Sequence, residues 1–472
     1  MIKDENVKSS DNVSVTDSHA VDASPDLGGG GSHRTGGEPH HAHISHHSHH
    51  SHHHSRHHSR DRKKKRSSQD KNKRKQKFLR FLKRYKMYII CAATVLLVVG
   101  CLVFVATHLD NRDSGSSTDS VGSGINETSN LNIAVPLFSE DVSIVGTAVE
   151  AYLSAQGEVT AVDIYKLYAA GGNRLDVGLP VSLSYKITGV PSGYEVDSIN
   201  FAVADNKALA DPITASASGY EAEVDFYNLK TGTRYYYSVN VSFKNGAETA
   251  VSGSFKTAPG PRMMNVPGVN NMRDIGGWTT ANGSVIKQGL LYRGCEIDGA
   301  VEAEYVITAE GVEIMLTELG IRFDMDLRLP EENKHGIDIL GSSVEHVYYS
   351  APMYVNVFKQ INAEKMRAIF ADLADESNYP IYMHCTYGQD RTGTVCYILE
   401  ALLGLSEEDL MKEYQLSALY HGYQPIDDMT VFVERFKQLP GETMSEKAEG
   451  YLLSIGVSAE QIASIRRIHL SN

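Results

Sequence analysis

The sequence predicts an α/β domain, a mainly parallel sheet flanked by helices, preceded by an all-β sandwich, one transmembrane helix and a disordered N-terminal tail. Three observations carry this. Beyond Met263, short apolar runs alternate with stretches of helical apolar spacing, the pattern of an α/β layer. Residues 178–261 alternate in twos between Gly, Asn and Pro signals, the pattern of an antiparallel sandwich. Met87 to Ala106, MYIICAATVLLVVGCLVFVA, holds no charge, and a run of about 20 such residues crosses a ~30 Å hydrocarbon core.

The elements follow in chain order. Residues 1–86 form a tail of biased composition, GGGGS and then HHAHISHHSHHSHHHSRHH, with too little apolar surface to offset chain entropy. Its twelve histidines between His40 and His58 are either weak Zn or Ni ligands or a solvated tract. The tail carries 19 Lys/Arg against 9 Asp/Glu, so its balance of +10 leaves the rest near −23 within a total of −13. The basic flank, DRKKKRSSQDKNKRKQKFLRFLKRYK, suits anionic lipid on the inner leaflet. It also sets the orientation of 87–106: N-terminus cytoplasmic, C-terminal part extracytoplasmic, a single-pass protein of the cell membrane. A cleaved signal peptide would not start so far along, and a buried core helix would not be apolar all round in such a setting.

Residues 107–130 are a Ser/Gly-rich spacer, and 131–177 a short helical or irregular segment with an amphipathic helix around Ser143–Ala169. The sandwich strands are VSLSYKITGV, VDSINFAVAD, YEAEVDFYNL, TRYYYSVNVSFKNG and AVSGSFKTA. Of five cysteines, two lie in the apolar run and three beyond it (Cys295, Cys385, Cys396), too sparse for a disulfide framework. That usage fits a bacterial surface protein, so the Asn126-Glu-Thr sequon carries little weight. No nucleic-acid partner is expected for so acidic a portion, and the oligomeric state is left open.

In 263–472, VEHVYY and PIYMHC read as buried strands, and MRAIFADLA, VCYILEALLGL, SEEDLMKEYQL and SEKAEGYLLSIG as helices. Between PIYMHC and the helix TGTVCYILEALLGL lies MHCTYGQDRTG, residues 383–393. Strand, short loop and helix start together gather anions on backbone N–H groups and the helix dipole. Amide donors around a cysteine near a helix start favour its thiolate. Cys385 opens the loop as a nucleophile, and Arg391 closes it with a planar fork suited to two phosphate oxygens. Thiolate and phosphate cradle together imply phosphoryl transfer through a phosphocysteine.

HCTYGQDRTG resembles the His-Cys-x5-Arg-Thr/Ser-Gly signature of cysteine-based protein tyrosine phosphatases. It is most similar to the secreted bacterial family, including a mycobacterial enzyme, whose loop carries Asp directly before Arg. Asn271-Met-Arg-Asp-Ile-Gly-Gly277, IKQGLLYRG (286–294) and LGIRFDMDLRLPEE (319–332) resemble that family's other motifs. Leu229-Lys-Thr-Gly-Thr-Arg-Tyr235 and SFKTAPGPR resemble the E–F corner and closing strand of fibronectin type III domains.

The phosphatase resemblance implies that Cys385 attacks phosphorus and Arg391 clamps the phosphate. The N–H groups of Thr386, Tyr387, Gly388, Gln389, Asp390 and Arg391 would cradle it. It implies that Thr392 donates to the departing sulfur and that His384 positions Cys385. Asp390 is the first choice of general acid and Asp326 its alternative or helper. Arg273, Asp274 and Arg328 are placed at the substrate-binding site, with bracing of the loop the favoured role for Asp274 and Arg328, and Arg273, Arg293 and Arg328 could together line a basic pocket. Gln389 stands where the family often has Lys, removing a charge that favours phosphoinositides. Cys295 stands where it usually has Ser, as a redox partner of Cys385 or a small buried residue.

The expected function is thus a membrane-anchored extracytoplasmic phosphatase acting on phosphotyrosine proteins or other phosphomonoesters, with no metal or cofactor. The alternatives are an inositol phosphate or phosphoinositide phosphatase on the same fold, and a non-catalytic surface binding protein.

Overall fold

The computed structural model describes residues 130–155, 157, 159–171, 174–332 and 339–471. The tail, the apolar run Met87–Ala106 and the Asn126 sequon lie outside the described residues. Among those described, no helix is long and apolar enough to cross a membrane.

Strands are numbered in chain order. The sandwich holds β1 (Asn132–Ala134), β2 (Val181–Thr188), β3 (Val196–Ala204), β4 (Ile213–Ala217), β5 (Glu221–Phe226), β6 (Arg234–Phe243) and β7 (Glu248–Lys256). All pairings are antiparallel, in sheets ordered β1-β2-β5 and β4-β3-β6-β7. Along β2 the pleat turns Val181, Leu183, Tyr185 and Ile187 inward, where they meet Phe201, Phe226, Tyr237 and Phe255. The backbone N–H of Lys230 donates to the Tyr235 hydroxyl at 2.8 Å, pinning the turn before β6.

Two expectations are corrected. Ser143–Ala169 is not one helix but two, Thr147–Leu153 and Ala161–Tyr168, the second started by a Thr160 capping box. The segment 131–177 is also not a unit of its own. Its β1 pairs with β2, whereas Val149, Tyr152 and Ile164 of its helices pack with Leu416 and Leu419 near the chain's other end.

The α/β domain builds a six-stranded sheet, ordered β12-β11-β13-β10-β9-β8. Its strands are β8 (Arg262–Met263), β9 (Arg273–Asp274), β10 (Leu291–Gly294), β11 (Phe323–Asp326), β12 (Glu345–Tyr348) and β13 (Ile381–His384). The four strands from β12 to β10 run parallel, and β9 and β8 close the edge antiparallel. Both faces of the parallel part are covered, as such sheets require. Ile381 and Met383 face the large helical core, and Tyr382 faces the cluster of Met272, Tyr292 and Met315. The helix Arg391–Leu403 is buried from Thr392 onward and stops at Gly404, whose φ of 96° ends it in the left-handed region.

Register decides where the chemistry sits. His384, the last residue of β13, pairs with Gly294 on one side and Asp326 on the other. The chain leaving β13 therefore emerges between the segments leaving β10 and β11, at the carboxyl ends of the parallel strands, where α/β sheets bind ligands.

Sandwich and sheet are joined by buried bonds. Arg262 donates to the carbonyls of Leu229 (3.2 Å) and Asn228 (2.5 Å) and ion-pairs with Asp274 at 2.9 Å. Gln288 exchanges hydrogen bonds with the backbone of Thr231 at 2.8 and 2.9 Å.

Candidate active site

The loop Cys385–Asp390 has its carbonyls turned outward and satisfied. Thr386 O accepts from Glu296 N (3.0 Å), and Tyr387 O from Asn271 Nδ2 (3.0 Å) and His421 Nε2 (2.9 Å). Gly388 O accepts from Arg293 Nη2 (2.8 Å), Gln389 O from Gly393 N (3.0 Å) and Asp390 O from Thr394 N (2.9 Å). In a trans peptide the N–H points opposite to the C=O. The N–H groups of Tyr387 to Arg391 accordingly face inward, and no hydrogen bond among the described residues uses them. Five convergent amides at a helix start form an anion cradle. Gly388 makes the curl possible: its φ is +63°, and a Cβ there would lie 2.3 Å from Gly294 O.

The cradle stands on charges gathered from distant segments. Arg293 and Arg273, both buried, share Glu413, each at 2.6 Å. Arg293 reaches from there to Gly388 O, and Arg273 to Asn271 Oδ1 (2.8 Å). Burial raises the Glu413 carboxyl, but the two guanidiniums outweigh it and hold the group below its ordinary value. Nearby Glu400 has neither oxygen paired among the described residues, and its carboxyl is pushed well up by burial and then by Glu413.

His384 sits under Cys385, its Nδ1 3.3 Å from Cys385 O and its Nε2 3.1 Å from Asp324 Oδ1. The second contact is too skewed for a good hydrogen bond and acts as an ion pair. Burial pulls the imidazole down, but Asp326 and Asp324 lift it to about 9.

Three residues placed at the substrate site turn out to be spent inside the protein. Arg273 is committed to Glu413, Asn271 and Ser417. Asp274 is held by Arg262 and the N–H groups of Gly276 and Gly289. Arg328 binds Glu296, Asp298 and Asp326 at 2.7 to 2.9 Å. All three are about 1% exposed. Their hydrogen bonds fix the ends of β9, β10 and β11 around the loop, and this bracing is what the buried charges require. Asp326 has both oxygens on Arg328 and one also on the N–H of Arg328.

Asp390 is placed differently. Tyr354 donates to its Oδ1 and lies 2.8 Å from the Tyr414 hydroxyl. Asp390 borders a cavity of about 490 Å³ shared with Tyr354, Tyr387, Gln389, His421 and Tyr423. Arg391 forks onto Glu332, with Nη2 to Oε1 at 2.7 Å, and Thr386 Oγ1 reaches the same oxygen at 3.2 Å. One N–H on each Nη is thus engaged, leaving Nε–H and the remaining Nη–H donors.

The Thr392 hydroxyl is buried and has no partner among the described residues. Cys295 is buried, donates to Tyr387 O at 3.2 Å, and its thiol is pushed well up by burial and then by Cys385. Cys396 is enclosed in the helical core. No group of three or more His, Cys, Asp or Glu that could hold a metal ion occurs among the described residues.

Sequence reasoning missed Glu413, Glu332 and Tyr354 as parts of the site, and it put Arg293 in the wall of a basic pocket rather than beneath the loop. Glu413 alone had a signal: it lies with Leu410 and Tyr414 on the buried stripe of the helix Glu407–Gln415, and a carboxylate there needs a buried cation.

Residues 264–471 match the tyrosine phosphatase family. The chain is therefore a phosphatase enzyme, with its catalytic part in the α/β domain. A tyrosine-protein phosphatase of Nostoc commune is 24% identical over 198 residues, 32% of this chain and 67% of that protein. A Cupriavidus necator protein with a provisional name of the same kind is 25% identical over 166 residues, 31% of this chain and 59% of that one. The chain thus spans about two thirds or less of these relatives. Among solved structures, the core catalytic domain of the PP-IP phosphatase SIW14 from S. cerevisiae, in complex with citrate, aligns over 34% of this chain and 91% of that chain. Its sequence identity is 16% and its TM-score 0.23.

Proposed function

We propose that this enzyme hydrolyses phosphotyrosine through a phosphocysteine intermediate. The observation that carries the reading is the ring of inward N–H groups from Tyr387 to Arg391, opened by Cys385 and closed by a guanidinium with donors to spare. The Cys385 thiolate attacks phosphorus, and the ester oxygen leaves with a proton from Asp390. Water then attacks the phosphocysteine, gives its proton to Asp390 and releases phosphate, while the sulfur regains its electron pair. Thr392, its hydroxyl uncommitted, is the donor for that sulfur. His384, held by Asp324, positions Cys385.

Asp390 is favoured over Asp326 as the acid because Tyr354 engages one of its oxygens and leaves the other for the cavity, whereas Arg328 occupies both of Asp326. The aromatic lining of that cavity by Tyr354, Tyr387 and Tyr423 suits an aryl leaving group.

The wider setting is part of the same proposal and rests on sequence. Met87–Ala106 anchors the chain with its basic N-terminal side inside and the enzyme outside. The sandwich is a fibronectin type III-like spacer, supported by its strand order and the Tyr235–Lys230 bond.

The test uses the full-length protein and its Cys385→Ser and Asp390→Asn variants, with chelator present. Release from a phosphotyrosine peptide should vanish in the first. The second should slow that peptide more than an aryl ester with a good leaving group. Activity surviving Cys385→Ser would overturn the mechanism, and equal losses on both substrates would remove Asp390 from the acid's role.

A further inference from the structure

Beside the cradle lies a second cavity of about 260 Å³, lined by Arg391, Lys365, Ser350, Asn356, Asn362 and Met353 among others. Among the described residues no Asp or Glu lines it, although Arg391 is forked onto Glu332 just outside. Lys365 stands in the first turn of the helix Ala363–Asp372 and donates to Ser350 Oγ at 3.3 Å. Among the described residues it has no carboxylate partner.

The wall is built rather than loose. Ser350 and Tyr354, neither of them glycine, hold φ of +50° and +51°, conformations that persist only where the surroundings impose them. Tyr354, the residue after Met353, donates its backbone N–H to Thr394 Oγ1 at 2.9 Å and its hydroxyl to Asp390, which ties this segment to the loop and to the helix that follows it. Met353 lines this cavity and the aromatic one beside Asp390. The two cavities thus meet at Met353, one with an aromatic lining and the other carrying Lys365 and Arg391.

We propose that the cavity between Lys365 and Arg391 is a second anion subsite, taking a negatively charged group that the substrate carries next to the phosphate being hydrolysed. The group is either an acidic side chain flanking a phosphotyrosine or a second phosphate on a small polyphosphate. The inference rests on the reading of Cys385 and Arg391 as the hydrolytic centre. Lys365 has no part in bond breaking: it sits on a helix facing the cavity, and its ammonium gives the subsite a charge independent of the guanidinium.

The experiment compares the full-length enzyme with Lys365→Gln and Lys365→Glu on four substrates: a phosphotyrosine peptide flanked by Glu, the same peptide flanked by Ala, an inositol polyphosphate, and p-nitrophenyl phosphate. For the substrate whose second charge is bound, Lys365→Gln should raise KM about tenfold, the loss of about 1.4 kcal/mol, and Lys365→Glu should raise it further. The kcat, and the KM for the Ala-flanked peptide and p-nitrophenyl phosphate, should stay within about twofold of wild type. Whether the Glu-flanked peptide or the polyphosphate responds identifies the source of the charge. A uniform change on all four substrates would mean that Lys365 acts through the cradle, and no change on any would mean that the cavity is idle; either overturns the subsite. Failure of the parent reading looks different: wild type would not turn over p-nitrophenyl phosphate or either peptide.

Discussion

Replacing Glu413 by Gln tests the idea that one buried carboxylate supports the phosphate cradle. Two arginines, at 0% and 1% exposure, depend on it. Removing one partner of a buried ion pair costs about 3–5 kcal/mol because the remaining charge is stranded. The structure puts this case at the lower end. Glu400 lies close enough to Arg293 and Arg273 to feel both, and its carboxyl is pushed up first by burial and then by Glu413; without the Glu413 charge, the two guanidiniums pull Glu400 down and it offsets part of the loss. Glu400→Gln alone then costs under about 1 kcal/mol, since a neutral amide replaces a neutral acid. The double variant loses more than the two singles together. Trp278, the chain's sole tryptophan, lies in the α/β domain, so its fluorescence follows that domain's unfolding. With a slope of about 2 kcal/mol per molar urea, a 3 kcal/mol loss moves the midpoint by about 1.5 M. A midpoint within about 0.3 M of wild type for Glu413→Gln, or equal shifts for the two single variants, would refute the charge assignment.

Gly388→Ala should lower kcat/KM by about 10- to 100-fold, the equivalent of 1–3 kcal/mol of backbone strain. Gly283→Ala, also left-handed at φ +88° but facing open space, should leave turnover intact; matching losses in a phosphate-release assay would deny the close approach of Gly388 to Gly294. His384 and His469 act on stability on opposite sides of pH 6.5. The pKa of His384 is raised from 6.5 to about 9, so its contribution is complete below pH 6.5 and is lost as pH rises towards 9, up to about 3 kcal/mol. His469 is pushed down to about 3 by burial, so its contribution is present above pH 6.5 and is lost as pH falls. Urea midpoints of Trp278 fluorescence at pH 5.5, 6.5, 8 and 9 would show a flat alkaline limb if His384 were neutral in the folded state.

The loop Met383–Gly393 was legible as an anion cradle because its requirements are local. A strand end, a glycine with positive φ and a helix start lie within eleven residues, and short-range chemistry constrains them all. The sandwich strands were legible through their period of two, but β4 was not. ITASA is mostly exposed and small, so it lacks the apolar alternation that marks its neighbours. The supports of the loop were hidden for the opposite reason: Glu413 lies 120 residues from Arg293 and 140 from Arg273, and sequence spacing says nothing about which buried charges will meet. The same gap explains why sequence could set Arg273, Asp274 and Arg328 beside the substrate, and favour bracing for Asp274 and Arg328, without naming their partners. Their motifs mark them as important, while only the folded geometry shows that carboxylates and backbone groups already occupy them.

The bonds of Arg262 have a practical meaning for anyone dividing this chain. A catalytic fragment begun at Met263 matches the family boundary almost to the residue, yet it discards the guanidinium that neutralises Asp274 inside the sheet. Such a fragment would carry a buried carboxylate facing its own cut edge, one strand away from Arg293. Cutting instead before β1 keeps that arginine and the carbonyls of Asn228 and Leu229 that orient it. For cloning, the sandwich and the enzyme are one piece.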